Sequence, residues 1–174
     1  MAIDMKSIIA ETFVGLVKQK GIDKVTVTAL IDACHISRQT FYYHFQDLMD
    51  VINWSAQKLR QDILARSIEK ETPEEALHIF ISSILEEREL IRRLLDSQRR
   101  PELEHLFFLT ARSFFEEILK VKNPDISINY ADFEVALDFW SFGITGIIFR
   151  NLDKKQVDAE KLAQQICRFV RSRR

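Results

Sequence analysis

The amino-acid sequence predicts an all-α protein. Its 174 residues include only four glycines and three prolines, and Pro73, Pro101 and Pro124 fall between stretches of helical periodicity. Apolar residues recur at the three- and four-residue spacing of one helix face, and no stretch alternates as a half-buried strand does. We therefore expect about nine helices, near residues 4–20, 27–34, 38–45, 48–68, 74–86, 88–97, 102–121, 128–151 and 156–171.

Local signals mark the ends of several of these helices. Ile9, Phe13 and Val17 share one face of the first helix, and Gly21 ends it because glycine accepts the left-handed backbone of a C-cap. The segment 72–75, Thr-Pro-Glu-Glu, supplies an N-cap, a proline in the first turn and two acids at the positive end of the helix dipole. The sequence therefore predicts a helix start there.

Composition excludes several classes of protein. Hydrophobic residues make up 47% and charged residues 29% of the chain, as in ordinary soluble domains. The two cysteines have no metal-binding spacing, and the longest uncharged apolar stretch, residues 139–149, is shorter than the roughly 18 residues that cross a membrane. We expect a cytoplasmic protein with no cofactor, metal or membrane partner. The net charge of −1 is unpromising for a nucleic-acid binder.

Two short helices joined by a tight turn are predicted between residues 26 and 45. Thr26 can cap the first helix, the segment 34–36 forms the turn, and Ser37 can cap the second helix. Phe41 and Phe45 are four residues apart, so they are expected to be buried together on one face of the second helix. This arrangement is the helix-turn-helix pattern.

The other faces of the second helix carry side chains that suit DNA. Arg38 can bond guanine bidentately and Gln39 can bond adenine, and both lie in the first turn, the end that such motifs insert into the major groove. The alternative is a hairpin whose aromatic residues only pack. Tyr42, Tyr43 and His44 argue against it, because consecutive helical residues point about 100° apart and cannot all face one core.

The run Thr26-x-x-x-Leu30 followed by Ile36-Ser37-x-x-Thr40-Phe41-Tyr42-x-His44-Phe45 resembles the DNA-binding domain of the TetR/AcrR family of bacterial transcription regulators. The resemblance covers about the first 50 residues. It implies a helix-turn-helix domain at 1–47, a helical effector-binding and dimerisation domain at 48–174, and no enzymatic activity. By position, it implies base reading by Arg38 and Gln39, with Thr28 as a further candidate. The predicted DNA-binding residues are Thr26, Thr28, Ser37, Arg38, Gln39, Thr40, Tyr42, Tyr43 and His44.

Two residues depart from the family's usual pattern. His35 stands in the turn where the family usually has glycine, so a positive φ there would carry some strain. Leu48 stands where a lysine usually opens the fourth helix and contacts phosphate. One charge-assisted contact is therefore missing, and we expect DNA affinity to depend less steeply on salt.

The C-terminal part holds ten of the 13 phenylalanines and both tryptophans. Most of these side chains are expected to be plain core, while a subset could line an apolar effector pocket between helices. The domain is short for the family, so any pocket is expected to be small, and docking of a protein partner stays open as an alternative. The candidate ligand-binding residues are Phe80, Phe107, Phe108, Phe114 and Trp140.

Two glycines three residues apart lie inside the predicted helix at 128–151. Each interior glycine costs about 1 kcal/mol relative to alanine, and close approach of another helix would compensate. The family dimerises through its last two helices, so a four-helix bundle across a two-fold axis is implied here. This stretch resembles the subgroup that includes regulators of dihydroxyacetone kinase operons. The predicted homodimer interface comprises Phe139, Phe142, Gly143, Gly146, Ile147, Leu162, Ile166 and Phe169.

The sequence disfavours an enzyme. Its four histidines are scattered, and it contains no glycine-rich phosphate loop, nucleophile elbow or zinc-protease motif. The leading interpretation is a dimeric regulator that binds double-stranded operator DNA and responds to a small-molecule effector. The alternative is a helical adaptor of the same fold that acts mainly through a protein partner.

Overall fold

A computed structural model describes residues 4–122 and 129–171. These residues form nine α-helices and one 3-10 turn, with no strand among them, so the all-α prediction is confirmed. No helix in these ranges is long and apolar enough to cross a membrane. The helices are α1 (Met5–Lys20), α2 (Val27–Cys34), α3 (Arg38–His44), α4 (Leu48–Ile68), α5 (Pro73–Glu86), α6 (Arg88–Leu95), α7 (Arg100–Lys122), α8 (Tyr130–Asn151) and α9 (Ala159–Arg171), and the 3-10 turn covers Ile22–Lys24.

The helix ends differ from prediction by a few residues at most. The predicted start of α9 at residue 156 is too early, because Asp158 accepts a hydrogen bond from the backbone N–H of Lys161 at 2.9 Å and so caps the helix. Helix α8 is capped by Asn129, which accepts from the N–H of Asp132 at 3.1 Å. Its predicted first residue, 128, and the proline at 124 lie outside the described residues.

The described chain packs into two compact units. The first contains the described residues up to Lys58 together with Glu89–Glu104. Its core is formed by buried residues of the first three helices, among them Phe13, Leu30 and Phe41. The start of α4 belongs to this unit because the ring of Trp54 lies edge-on to Phe45, with 6.0 Å between the ring centroids.

The second unit contains Leu59–Arg88 and the described residues from His105 onward. Helix α5 makes its most extensive contacts with α9. Phe80 of α5 stacks on Phe114 of α7, with ring centroids 4.6 Å apart. Helices α4 and α7 each contribute residues to both units, so the units do not coincide with the predicted functional domains at 1–47 and 48–174. The boundary between those functional domains is still a prediction.

The start of α5 is a complete capping box. The Thr72 hydroxyl accepts from the N–H of Glu75 at 3.2 Å, and the Glu75 carboxylate accepts from the N–H of Thr72 at 3.1 Å. The carboxylate also accepts from the Thr72 hydroxyl, and these hydrogen bonds lower the pKa of Glu75. Two of the orphan donors at the helix N-terminus are thereby satisfied.

Replacing the cap residue should destabilise the protein measurably. We expect Thr72→Ala to lower the free energy of unfolding by about 1 kcal/mol, because the N–H of Glu75 loses its acceptor. The loss should be largest at neutral pH and should shrink as the pH falls through the lowered pKa of Glu75, where the carboxylate becomes protonated. Urea unfolding at several pH values measures both effects.

Two variants serve as controls for this experiment. Thr72→Ser retains the hydroxyl and should stay within about 0.5 kcal/mol of the wild type. Thr12→Ala removes a hydroxyl that bonds only the Ile8 carbonyl of its own helix, so it should change stability little. A Thr72→Ala variant as stable as the wild type would contradict the role of the cap.

Candidate nucleic-acid interface

Side-chain caps define the two helices of the motif. The Thr26 hydroxyl accepts from the N–H of Ala29 at 3.1 Å and caps α2. The Ser37 hydroxyl accepts from the N–H of Thr40 at 3.0 Å and caps α3, and it also hydrogen-bonds the Thr40 hydroxyl at 2.8 Å. As the sequence predicts, these two residues begin the two helices. The Thr26 hydroxyl accepts through a lone pair, so its own proton is still available to a phosphate oxygen.

The turn between α2 and α3 depends on a left-handed histidine. His35 has φ +54° and ψ +41° and forms the C-cap of α2. The N–H of Ile36 bonds the carbonyl of Ile31 at 3.3 Å, which is the six-to-one bond of a Schellman motif. His35 therefore adopts the conformation for which the family usually has glycine.

Burial sets the orientation of α3. Phe41 and Phe45 are buried, with ring centroids 6.2 Å apart, as their four-residue spacing predicts. The opposite faces are open: Tyr42 is 54% exposed and Tyr43 is 83% exposed. Arg38 is exposed as well. The helix therefore offers a polar and aromatic surface to solvent while its apolar side holds the core.

The structure brings two of the predicted DNA-binding residues together. The Arg38 guanidinium donates from Nη2 to the Thr28 hydroxyl at 3.1 Å, which links the first turn of α3 to α2. Gln39 is exposed beside Arg38, and the half-buried ring of His44 lies edge-on to Tyr43 at 4.9 Å between ring centroids. Sequence reasoning named these residues but gave no signal for the Arg38–Thr28 hydrogen bond.

The start of α4 is acidic. Leu48 is half-buried there. The N–H of Asp50 bonds the Asp47 carboxylate at 2.9 Å, and the N–H of Gln46 bonds the Asp50 carboxylate at 3.0 Å. Two carboxylates therefore lie at this helix end, and their negative charge makes it a poor site for a phosphate.

The predicted ligand-binding aromatics lie in the second unit and are largely packed. Phe80, Phe108 and Phe114 are buried, while Phe107 and Trp140 are half-buried. A groove of about 400 Å³ at the start of α9 is lined instead by charged and amide side chains. None of the five predicted residues lines this groove, which is formed by Asp158, Glu160, Lys161, Gln164, Gln165 and Arg168.

The predicted dimer residues divide into two groups. Phe139, at 60% exposed, and Phe142, at 61% exposed, share one face of α8 with two exposed glycines. Val135 extends this face by one turn; sequence reasoning missed it, although its spacing of four residues from Phe139 would have revealed it. In the second group, Ile166 is buried in its own protomer. Of the other predicted dimer residues, Gly143, Gly146 and Phe169 are exposed, whereas Ile147 and Leu162 are half-buried.

An ion-pair cluster holds α8 beside α7 in the same unit. Arg112 of α7 donates from Nε to the Asp138 carboxylate at 2.6 Å and also pairs with Glu134. These contacts, the Asp138 hydrogen bond first, raise the pKa of the guanidinium. The face of α8 that carries Glu134 and Asp138 therefore lies toward α7, where Phe142 also stacks on Phe108 with ring centroids 3.7 Å apart.

The site and fold together define a class of protein, an all-helical chain with an N-terminal helix-turn-helix. A family model described as bacterial regulatory proteins of the tetR family matches residues 11–47. Another, described as a transcriptional regulator C-terminal region, matches residues 71–172. The chain belongs to the TetR family of bacterial regulatory proteins. Family membership makes it a DNA-binding transcriptional regulator and not an enzyme.

Solved structures share the whole fold. The dihydroxyacetone kinase operon activator DhaS is 18% identical with a TM-score of 0.68, and the match covers 98% of this chain and 96% of that one. A Listeria innocua protein is 15% identical with a TM-score of 0.74, covering 100% and 96%. The repressor AlkX from Dietzia sp. strain DQ12-45-1b is 18% identical with a TM-score of 0.59, covering 98% and 95%. No curated protein sequence matches the chain.

Substitution by glycine should have opposite effects on stability at His35, in the turn, and at Ala33, in the helix. We expect His35→Gly to be at least as stable as the wild type, because glycine adopts positive φ without the steric cost that His35 carries. Ala33→Gly, two residues earlier in the helix, should lose about 1 kcal/mol. Chemical unfolding of the three proteins measures the difference, and equal losses in both variants would contradict the role of the turn.

Proposed function

We propose that this protein is a homodimeric regulator that binds a pseudo-palindromic operator by placing α3 in the major groove. The observation that supports this most is the outward face of α3, where Arg38, Gln39, Tyr42 and Tyr43 are exposed above a buried phenylalanine pair. Arg38 is assigned to guanine and Gln39 to adenine, because the hydrogen-bonding edges of these side chains match those bases in the major groove. The first turn of a recognition helix is the part that reaches base edges.

Backbone contacts are assigned to neutral hydrogen-bond donors. Tyr42, Tyr43 and His44 carry donors suited to phosphate oxygens, and Thr26 and Thr40 add hydroxyls. Leu48 stands where the family usually has a phosphate-binding lysine, and the carboxylates of Asp47 and Asp50 lie beside it. Few counterions are therefore released on binding, and affinity should fall only shallowly with salt. Because its target is chromosomal DNA, we assign the protein to the bacterial cytoplasm.

The proposed dimer forms through the apolar stripe of α8. Val135, Phe139, Phe142, Gly143 and Gly146 lie within one helical face and are all exposed. Exposed aromatic side chains beside glycines, which have no side chain, favour a close contact with an identical helix. Phe169 of α9 offers a further exposed ring. Two recognition helices that enter major grooves on one face of the operator would contact half-sites about 34–36 Å apart, or a multiple of that spacing.

Control by a small-molecule effector is the last part of the proposal. Phe107 and Trp140 are the two candidate side chains that keep exposed surface, so they are favoured over the three buried phenylalanines as ligand contacts. An effector that prefers one spacing of the recognition helices shifts DNA affinity by that preference. One of the similar structures is an activator and another is a repressor. Operator affinity measured with and without a candidate effector gives the direction in which the effector changes DNA binding.

Loss of an exposed tyrosine on α3 should weaken operator binding. Operator DNA is first selected from a genomic pool, and affinity is then measured by fluorescence anisotropy. Tyr43→Ala should bind this DNA roughly ten- to thirty-fold more weakly, because each half-site loses about 1 kcal/mol from one phosphate hydrogen bond. Arg38→Ala should also lose discrimination between the operator and unrelated DNA.

Tyr130→Ala is the matched control. Tyr130 is 78% exposed at the start of α8, close to the 83% of Tyr43, so both variants lose the same kind of side chain. The control should bind operator as the wild type does. If Tyr43→Ala and Arg38→Ala also bind unchanged, the assignment of α3 fails. A copurified protein partner without any specific DNA footprint would favour the adaptor alternative.

A leucine placed in the α8 stripe should separate the subunits without unfolding them. A Cβ at Gly146 would meet nothing within 4 Å in the protomer, so Gly146→Leu should keep or raise protomer stability while blocking close approach of a partner helix. Gly15→Leu is the control, because a Cβ at Gly15 of α1 also meets nothing within 4 Å. Sedimentation should give a monomer for Gly146→Leu and a dimer for Gly15→Leu. A dimeric Gly146→Leu protein would place the interface elsewhere.

A further inference from the structure

One side-chain contact joins the two helices of the motif at their DNA-facing ends. Nη2 of Arg38 lies 3.1 Å from the Thr28 hydroxyl oxygen, across ten residues of sequence. Both residues are exposed, so this pair lies on the surface of the motif and not in its core. A guanidinium has no acceptor atom, so Arg38 is the donor and the Thr28 oxygen is the acceptor.

We propose that Thr28 is a positioning residue that holds the Arg38 guanidinium in the orientation that reads one guanine in each half-site. This inference rests on the proposed function and adds the residue that gives Arg38 its specificity. Thr28 would then act through Arg38 and would contact no base itself.

The backbone at both ends of the contact is held firmly. Thr28 lies in the first turn of α2, whose start is capped by Thr26 and whose inner face buries Leu30 and Ile31. Arg38 is the first residue of α3 and follows the Ser37 cap. A threonine side chain has few χ1 rotamers because it is branched at Cβ. The Thr28 oxygen therefore has a defined position relative to the first turn of α3.

A hydrogen bond that orders the side chain before binding favours the affinity of an arginine more than that of most side chains. Its long aliphatic stem has many rotamers, and ordering them at an interface costs binding free energy. A guanidinium has five N–H donors, and the Thr28 contact uses one of them on Nη2. Whichever Nη2 hydrogen Thr28 takes, the other one lies parallel to an N–H of Nη1 or of Nε, and such a parallel pair can bond O6 and N7 of guanine. The contact therefore orients the fork and leaves its reading edge open.

The test measures discrimination at single base pairs. The selected operator is compared with duplexes in which each symmetric G·C pair of the half-sites is replaced by A·T, using full-length protein and fluorescence anisotropy at two salt concentrations. Arg38→Ala first identifies the pair that Arg38 reads, where the wild type should discriminate by about 5- to 150-fold for each half-site replaced. Thr28→Val removes the hydroxyl at nearly constant volume, and Thr28→Ser retains it.

The proposal predicts a specific pattern. At the base pair that Arg38 reads, Thr28→Val should reduce the wild-type discrimination ratio to its square root or below. At the other base pairs, Thr28→Val should discriminate as the wild type does. Thr28→Ser should restore the ratio. In the Arg38→Ala background, Thr28→Val should have no further effect, because the side chain that it positions is absent. Thermal melts monitored by circular dichroism confirm that each variant is folded.

Other patterns would overturn the proposal. A uniform loss of affinity for all duplexes would make Thr28 a phosphate contact, and a loss at a different base pair would make it a base reader. Unchanged discrimination in Thr28→Val would show that Arg38 needs no support. If the wild type prefers no sequence at all, both this proposal and the proposed function fail, and that result is visible before any variant is measured.

Discussion

The burial of Phe41 and Phe45 against the first unit's core is the constraint on which the proposed DNA-binding face of α3 depends. Both rings are removed from solvent, and burying a phenylalanine contributes roughly 1.5–3 kcal/mol. Rotating α3 by one residue would turn it by about 100° and exchange Tyr42 for Phe41 in the core. That exchange would bury a phenolic hydroxyl and expose a hydrophobic ring, so the phenylalanine pair selects a single orientation. The exposed positions of Arg38 and Tyr43 follow from it.

The same constraint explains how a chain of nearly neutral charge can bind DNA. The net charge is −1, and the residues from Ala33 to Gln46 contain no acid and one arginine. The acids that follow, Asp47 and Asp50, are used as caps of α4. In the proposed complex, recognition relies on the fixed direction of a few hydrogen-bond donors and on the pairing of two protomers, more than on a broad basic surface.

The helices could be predicted from the sequence to within a few residues at each end, because their signals are local. The Thr26 and Ser37 caps and the four-residue spacing of the phenylalanines each act within one or two turns of helix. The contact between Arg38 and Thr28 could not be predicted, because it depends on the angle between two helices that the His35 turn sets. The packing of Phe80 on Phe114 could not be predicted either, because the sequence shows that both residues are apolar but does not show which neighbour each one contacts. Which aromatics contact an effector, and where two chains meet, are still predictions.

A titration of aromatic carbon resonances with the selected operator duplex tests the orientation of α3 most directly. The ring signals of Tyr42 and Tyr43 should shift and saturate at one dimer per duplex. Those of Phe41 and Phe45 should stay in place, as should the signal of Tyr130, which is an exposed tyrosine outside the motif. Unmoved Tyr42 and Tyr43 signals, or phenylalanine signals that move as far as theirs, would contradict a recognition helix whose outward face is set by its buried pair.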